Sequence, residues 1–122
     1  MEDFTTVTYT VEDDVATIAL DRPDALNALS PTLLSELEAA IGRAETADVR
    51  VVVLTGNGSA FSAGYDIGTD EEVPASVEDR LRDRKSHLDR ILESPLPVIA
   101  KVDGYALAGG CNLAVCCDLT FA

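Results

Sequence analysis

Val49-Arg50-Val51-Val52-Val53-Leu54-Thr55-Gly56 is the stretch on which the fold turns. Apart from Arg50, the run Val49–Leu54 is apolar without alternation, the pattern of a strand covered on both faces. Upstream, Thr5–Val11 alternates, with Val7, Tyr9 and Val11 on one face. Val15–Leu20 answers it after the turn Glu12-Asp13-Asp14, which predicts a hairpin. Asp21-Arg22-Pro23-Asp24 breaks that strand. Ser30 followed by Pro31 is an N-cap with proline at the first helical position. It opens an amphipathic helix to about Ala44 whose inner stripe is Leu33, Leu34, Leu37, Ala40 and Ile41.

Downstream of the central strand, Thr55–Gly68 reads as a long Gly/Ser/Ala loop. Ser76 with Asp79 resembles a capping box and opens a charged helix to about Glu93. Ser94-Pro95-Leu96-Pro97 stops it, Val98–Val102 is a further strand, and Gly104 turns the chain. Gly109-Gly110 leads into a small-residue helix ending near Cys117, and Leu119–Ala122 begins another strand. The order β-β-α-β-α-β-α-β is that of an α/β protein with crossovers. One domain is expected over residues 1–122, and a last strand that has only begun suggests the N-terminal portion of a larger design.

Composition narrows the function classes. With 47% hydrophobic and 25% charged residues the chain is a globular one. Nine Lys plus Arg against 22 Asp plus Glu give a net charge of −13, which disfavours nucleic acid and anionic membrane surfaces as partners. Lysine occurs only at Lys85 and Lys101, an Asp-heavy, Lys-poor balance that suggests a halophilic, salt-rich cytoplasm. Circular dichroism should then show more structure in molar KCl than in dilute buffer, and equal spectra would count against it. The start Met1-Glu2-Asp3-Phe4 lacks the regions of a signal peptide, and the apolar stretch Tyr105–Cys117 is short for a membrane span, so a cytoplasmic location is expected. Cys111, Cys116 and Cys117 fit neither a disulfide framework nor a metal pattern and read as buried thiols.

Two Gly-rich loops follow predicted strands, Gly56–Asp66 and Asp103–Asn112. Ligands of open α/β sheets bind beyond the carboxyl ends of the strands, and two backbone N–H groups converging there would form an oxyanion hole. By spacing alone such loops read equally well as plain turns. Lower-ranked candidates are His87 as an acid/base, Asp118 as the tie of a helix–strand turn, the acidic loop Asp70-Glu71-Glu72, and Tyr65 and Tyr105 as packing or pocket-lining rings.

Three blocks together go further. Asp21-Arg22-Pro23-Asp24-Ala25-Leu26-Asn27-Ala28-Leu29, then Phe61-Ser62-Ala63-Gly64-Tyr65-Asp66-Ile67, then Gly104-Tyr105-Ala106-Leu107-Ala108-Gly109-Gly110-Cys111 ending in Cys117-Asp118, closely resemble the enoyl-CoA hydratase/isomerase (crotonase) superfamily in order and spacing. The resemblance covers essentially the whole chain and implies the first part of a crotonase-like ββα spiral. It implies acyl-CoA thioesters as substrate, with CoA part of the substrate and no separate cofactor or metal. Asp24, Ala25, Ala63, Gly64, Asp66, Ile67, Leu107 and Gly110 would contact the thioester and its CoA. The backbone N–H groups of Tyr65 and Gly109 would form the oxyanion hole that stabilises an enolate. Family hydratases place a glutamate where this chain has Asn112; an amide orients water or an acyl group but takes no proton as a base. The other reading of Asn112 is a polar residue satisfying backbone groups near a helix start. Isomerase, thioester hydrolase or decarboxylase chemistry, or a non-catalytic CoA-binding fragment, stays open. The resemblance also implies a homo-oligomer where the full family fold is completed.

Overall fold

A computed structural model of the chain describes residues 4–64 and 88–122. The hairpin forms as its alternation predicts: β1 (Val7–Glu12) and β2 (Val15–Leu20) pair antiparallel, from Val7 opposite Leu20 to Glu12 opposite Val15. Asp13 and Asp14 close it with φ of 51° and 66°, the left-handed pair that a two-residue hairpin turn requires. A short 3-10 turn, Pro23–Ala25, follows, and then helix α1 (Pro31–Thr46). The Leu33 N–H donates to Ser30 Oγ at 3.1 Å, so the cap is the one read from the sequence. All five stripe residues are buried, joined by Ala44.

The central strand β3 (Val51–Gly56) runs parallel to β2, with Val15 opposite Val51 and Leu20 opposite Gly56. Beyond it lie β5 (Val98–Lys101), parallel to β3, and β7 (Leu119–Phe121), parallel to β5. The sheet order is β1-β2-β3-β5-β7 among the described residues, parallel except at the hairpin. Ala16, Ile18, Leu20, Val52, Leu54, Val98 and Ala100 share the face that forms one core with the α1 stripe. One expectation is corrected here. Val52 and Leu54 are buried while Val51 and Val53 are half-buried, so β3 is closed on the α1 face and partly open on the other among the described residues.

Two strands were not anticipated. β4 (Ala60–Ser62), within the stretch read as loop, and β6 (Tyr105–Ala106) pair in parallel as a separate two-stranded sheet. Pieces of three and two residues are too short to carry a period, and their pairing is set by the loops that bring them together. The Ser76–Asp79 cap falls outside the described residues. Residues 88–92 are helical, Ile91 enters the core, and Arg90 grips Glu45 of α1 with bonds of 2.8 and 2.5 Å.

Helix α2 (Gly109–Val115) ends two residues before the predicted boundary near Cys117. Gly110, Leu113, Ala114 and Cys117 face inward at helical spacing. Cys111 falls off that stripe and is exposed, and Cys116 is half-buried, so only Cys117 is the buried thiol expected. Burial, with Cys116 and Asp118 nearby, pushes the Cys117 thiol up to about 12. Asp118 ties the next turn as expected: Val98 N–H donates to its Oδ2 at 2.8 Å, and its own N–H donates to Val98 O at 2.8 Å. Among the described residues no helix is long and apolar enough to cross a membrane.

Candidate functional site

Because β2, β3 and β5 are parallel and in register, the segments leaving them emerge at one edge of the sheet. These are residues 21–30, 57–64 and 102–108, each containing part of a block singled out in the sequence. Backbone bonds stitch the first to the second: Ala63 N–H donates to Leu26 O at 3.0 Å, and Leu29 N–H donates to Gly64 O at 2.7 Å. The β4–β6 pair joins the second to the third, and Leu107 N–H extends it by donating to Ser62 O at 3.0 Å.

At the centre of this stitching is Asn27, fully buried, with φ of +54°. Its Oδ1 accepts from Arg22 N–H at 2.7 Å, and its Nδ2 donates to Asn57 O at 2.9 Å and Ala60 O at 2.8 Å. Asparagine suits the position twice over: its side chain offers both donor and acceptor, and its backbone tolerates the left-handed region better than most residues. Ser62, also fully buried, donates its hydroxyl to Asn27 O at 2.8 Å and accepts from Gly64 N–H at 3.2 Å.

The result is close contact between the second and third segments. Gly64 has φ of +111°, and a Cβ there would lie 3.2 Å from Leu107 O, 3.3 Å from Ala108 Cβ and 3.4 Å from the Gly109 amide nitrogen. Gly110 packs so tightly on Ser62 that a Cβ would run into the Ser62 carbonyl. Ala108, which leads into α2, holds φ 47° and ψ −117°, a conformation that costs a non-glycine residue about 1–3 kcal/mol. Gly109 is buried, and its N–H donates to no acceptor among the described residues. An N–H of a buried residue usually has a partner, so one without an acceptor among the described residues is uncommon. An N–H free of protein acceptors among the described residues suits an oxygen that gains negative charge.

The sequence-predicted residues distribute as follows. Ala63, Gly64, Leu107, Gly109 and Gly110 come together, with Leu107 exposed and both neighbouring glycines buried. Asp24 and Ala25 sit on the 3-10 turn, exposed and half-buried, joined to the cluster through Leu26 and Ala63. Asn112 lies exposed on α2; its backbone N–H donates to Ala108 O at 3.1 Å. Tyr65, Asp66, Ile67, the acidic loop and His87 lie outside the described residues. Tyr105 is exposed rather than packed. Among the described residues no three His, Cys, Asp or Glu side chains are grouped to hold a metal ion. Sequence reasoning missed the parts played by Asn27 and Ser62. The available signal was an asparagine inside the apolar run Leu26–Leu29, which, once buried, needs partners.

A mostly parallel α/β sheet with three loop segments drawn together at its carboxyl edge defines the class of α/β proteins whose ligand sites lie beyond the strand ends. The family model described as enoyl-CoA hydratase/isomerase matches residues 10–122. The chain belongs to that family. It is 40% identical over 118 residues to a protein named probable enoyl-CoA hydratase from Rhodobacter capsulatus, covering 96% of this chain and 46% of the relative. It is 42% identical over 110 residues to the mitochondrial enoyl-CoA hydratase of Pongo abelii, covering 88% of this chain and 37% of the relative. Among solved structures, an enoyl-CoA hydratase/isomerase from Xanthobacter autotrophicus Py2 superposes with a TM-score of 0.88 at 39% identity, covering 97% of this chain and 46% of that one. The chain thus spans about half the length of the relatives it matches, or less. The crotonase-type α/β fold read from the three blocks is borne out.

Proposed function

We propose that this chain binds acyl-CoA thioesters and polarises the thioester carbonyl with backbone N–H groups, as enoyl-CoA hydratase/isomerase chemistry requires. When water adds to the double bond, or a proton leaves the carbon next to the carbonyl, negative charge collects on the carbonyl oxygen. Fixed donors aimed at that oxygen lower the barrier by about 3 kcal/mol each. The observation that carries this reading is the N–H of buried Gly109, without an acceptor among the described residues, close to the Gly64 backbone. The second donor, from the family resemblance, is the amide of Tyr65, next in sequence to Gly64. The CoA moiety would pass along Asp24, Ala25 and Ala63, with Asp66 and Ile67 beyond, and Leu107 and Gly110 would border the acyl group.

Asn112 favours a second reading within the same family. An amide at the position of a family glutamate orients water or an acyl group and moves no proton. Thioester hydrolysis or decarboxylation, or isomerisation with the proton carried by a residue other than Asn112, then fits better than hydration by paired carboxylates. Asn112→Glu separates these: gain of hydratase activity would support a site lacking only that acid, and no gain would favour the other reactions or a binding role.

The test of carbonyl polarisation is competition between a short acyl-CoA and its thioether analogue, which keeps every atom except the carbonyl oxygen. The thioester is expected to bind at least about tenfold more tightly, the value of one good charge-assisted bond. Equal affinities would refute a role for the carbonyl.

A further inference from the structure

We propose that Ser62 is a positioning residue of this site, its buried hydroxyl holding the Gly64 peptide at a fixed separation from the Gly109 amide. The inference rests on the reading above, in which the Gly109 N–H receives the thioester oxygen. Ser62 touches all three segments at the sheet edge. Its hydroxyl donates to Asn27 O of the first at 2.8 Å and accepts from Gly64 N–H of the second at 3.2 Å. Its carbonyl accepts from Leu107 N–H of the third at 3.0 Å and fills the space where a side chain on Gly110 would lie.

The chemistry of a hydroxyl makes this arrangement directional. It has one hydrogen, and a carbonyl can only accept, so the hydrogen is committed to Asn27 O. The lone pairs are left to face Gly64 N–H, and the side chain has no second low-energy arrangement that satisfies both neighbours. Gly64 needs such an anchor because glycine at φ +111° has no side chain of its own to lock its backbone. Ser62 is fully buried, and the chain segments on either side separate it from solvent. Its effect on a ligand therefore passes through Gly64.

Removing the hydroxyl should change carbonyl polarisation more than ligand affinity, since the CoA contacts lie on other residues. The experiment is isotope-edited infrared spectroscopy of a short acyl-CoA carrying 13C at the thioester carbonyl, bound to the unsubstituted chain and to Ser62→Ala, with dissociation constants from calorimetry. The unsubstituted chain is expected to shift the carbonyl band below its position in water. Ser62→Ala should lose about half of that shift, while its Kd rises by about threefold at most. An unchanged band in a folded Ser62→Ala chain overturns the proposal, as does weaker binding with the band unmoved, which marks a purely structural role. Ser62→Cys, similar in shape but larger and a weak acceptor, takes the place of the alanine variant if that chain does not fold, with the same two outcomes. A bound thioester with no shift in the unsubstituted chain refutes the Gly109 reading itself, and so separates that failure from a failure of Ser62.

Discussion

Replacing Asn27 by alanine should be among the most damaging conservative changes in this chain. Three side-chain hydrogen bonds vanish, at 2.7, 2.9 and 2.8 Å, leaving the Arg22 N–H and the carbonyls of Asn57 and Ala60 without their partner. At about 1 kcal/mol net for each bond the loss is about 3 kcal/mol. Alanine also tolerates φ of +54° less well than asparagine, which adds about 1 kcal/mol. A total of about 4 kcal/mol is a large part of the 5–15 kcal/mol typical of a domain. Asn27→Gly loses the same bonds but accepts the left-handed backbone, so it should be the milder variant by about 1 kcal/mol. Urea unfolding followed by circular dichroism in molar KCl measures both. With a slope of about 1.5 kcal/mol/M, the alanine variant's midpoint should fall by about 2–3 M. A loss below about 1.5 kcal/mol, or alanine and glycine equal, would refute the reasoning that this side chain and its backbone conformation hold the three segments.

Glu36 accepts from the N–H and hydroxyl groups of both Thr5 and Thr6 at 2.8–3.0 Å; burial alone would raise its carboxyl, but these donors outweigh it and hold the pKa below the ordinary range. The folded pKa being depressed, Glu36 contributes stability above the unfolded carboxylate range and loses it as pH falls through the folded value. Solvent screening of this partly exposed carboxylate keeps the effect small, so Glu36→Gln should cost about 0.5–1 kcal/mol at neutral pH and progressively less in acid, and a gap that widens on acidification would contradict this. Gly42→Ala, whose new methyl would come no closer than 3.6 Å to Arg90 Nη2 within α1, should raise stability by about 0.5–1 kcal/mol. Gly110→Ala should instead destabilise the chain by more than about 3 kcal/mol, because its methyl would collide with Ser62 backbone, and denaturant midpoints of the pair check both signs. Iodoacetamide at pH 8 should label exposed Cys111 first and Cys117, buried with its thiol pushed up to about 12, last; peptide mapping that finds Cys117 modified early would contradict its placement.

The elements legible in the sequence are those whose signals are local. Ser30-Pro31 and the Leu33–Ile41 stripe announce α1 without reference to the rest of the chain, and Val7–Leu20 carries its own alternation and turn. Val49–Leu54 was legible as a strand but not in its surroundings, because an apolar run without alternation does not say which face a helix covers. β4 and β6 were illegible for a different reason. Their few residues become strands only because Asn27 and Ser62 draw the segments after β2, β3 and β5 together. The site followed the same division: the glycines at 64, 109 and 110 were named from the blocks, whereas their contact depends on partners distant in sequence. Asn27 stood inside one of those blocks, its apolar neighbours marking it as a polar residue that needs partners once buried but not saying which segments supply them.

The most direct measurement is calorimetric titration of the folded chain, in molar KCl, with a short enoyl-CoA and with free CoA. If the described residues supply the carbonyl-binding amide, the thioester should bind more tightly than CoA, by about tenfold. Equal binding of the two would mean that only the nucleotide is recognised, and no binding by a demonstrably folded chain would contradict the claim that this segment holds the thioester.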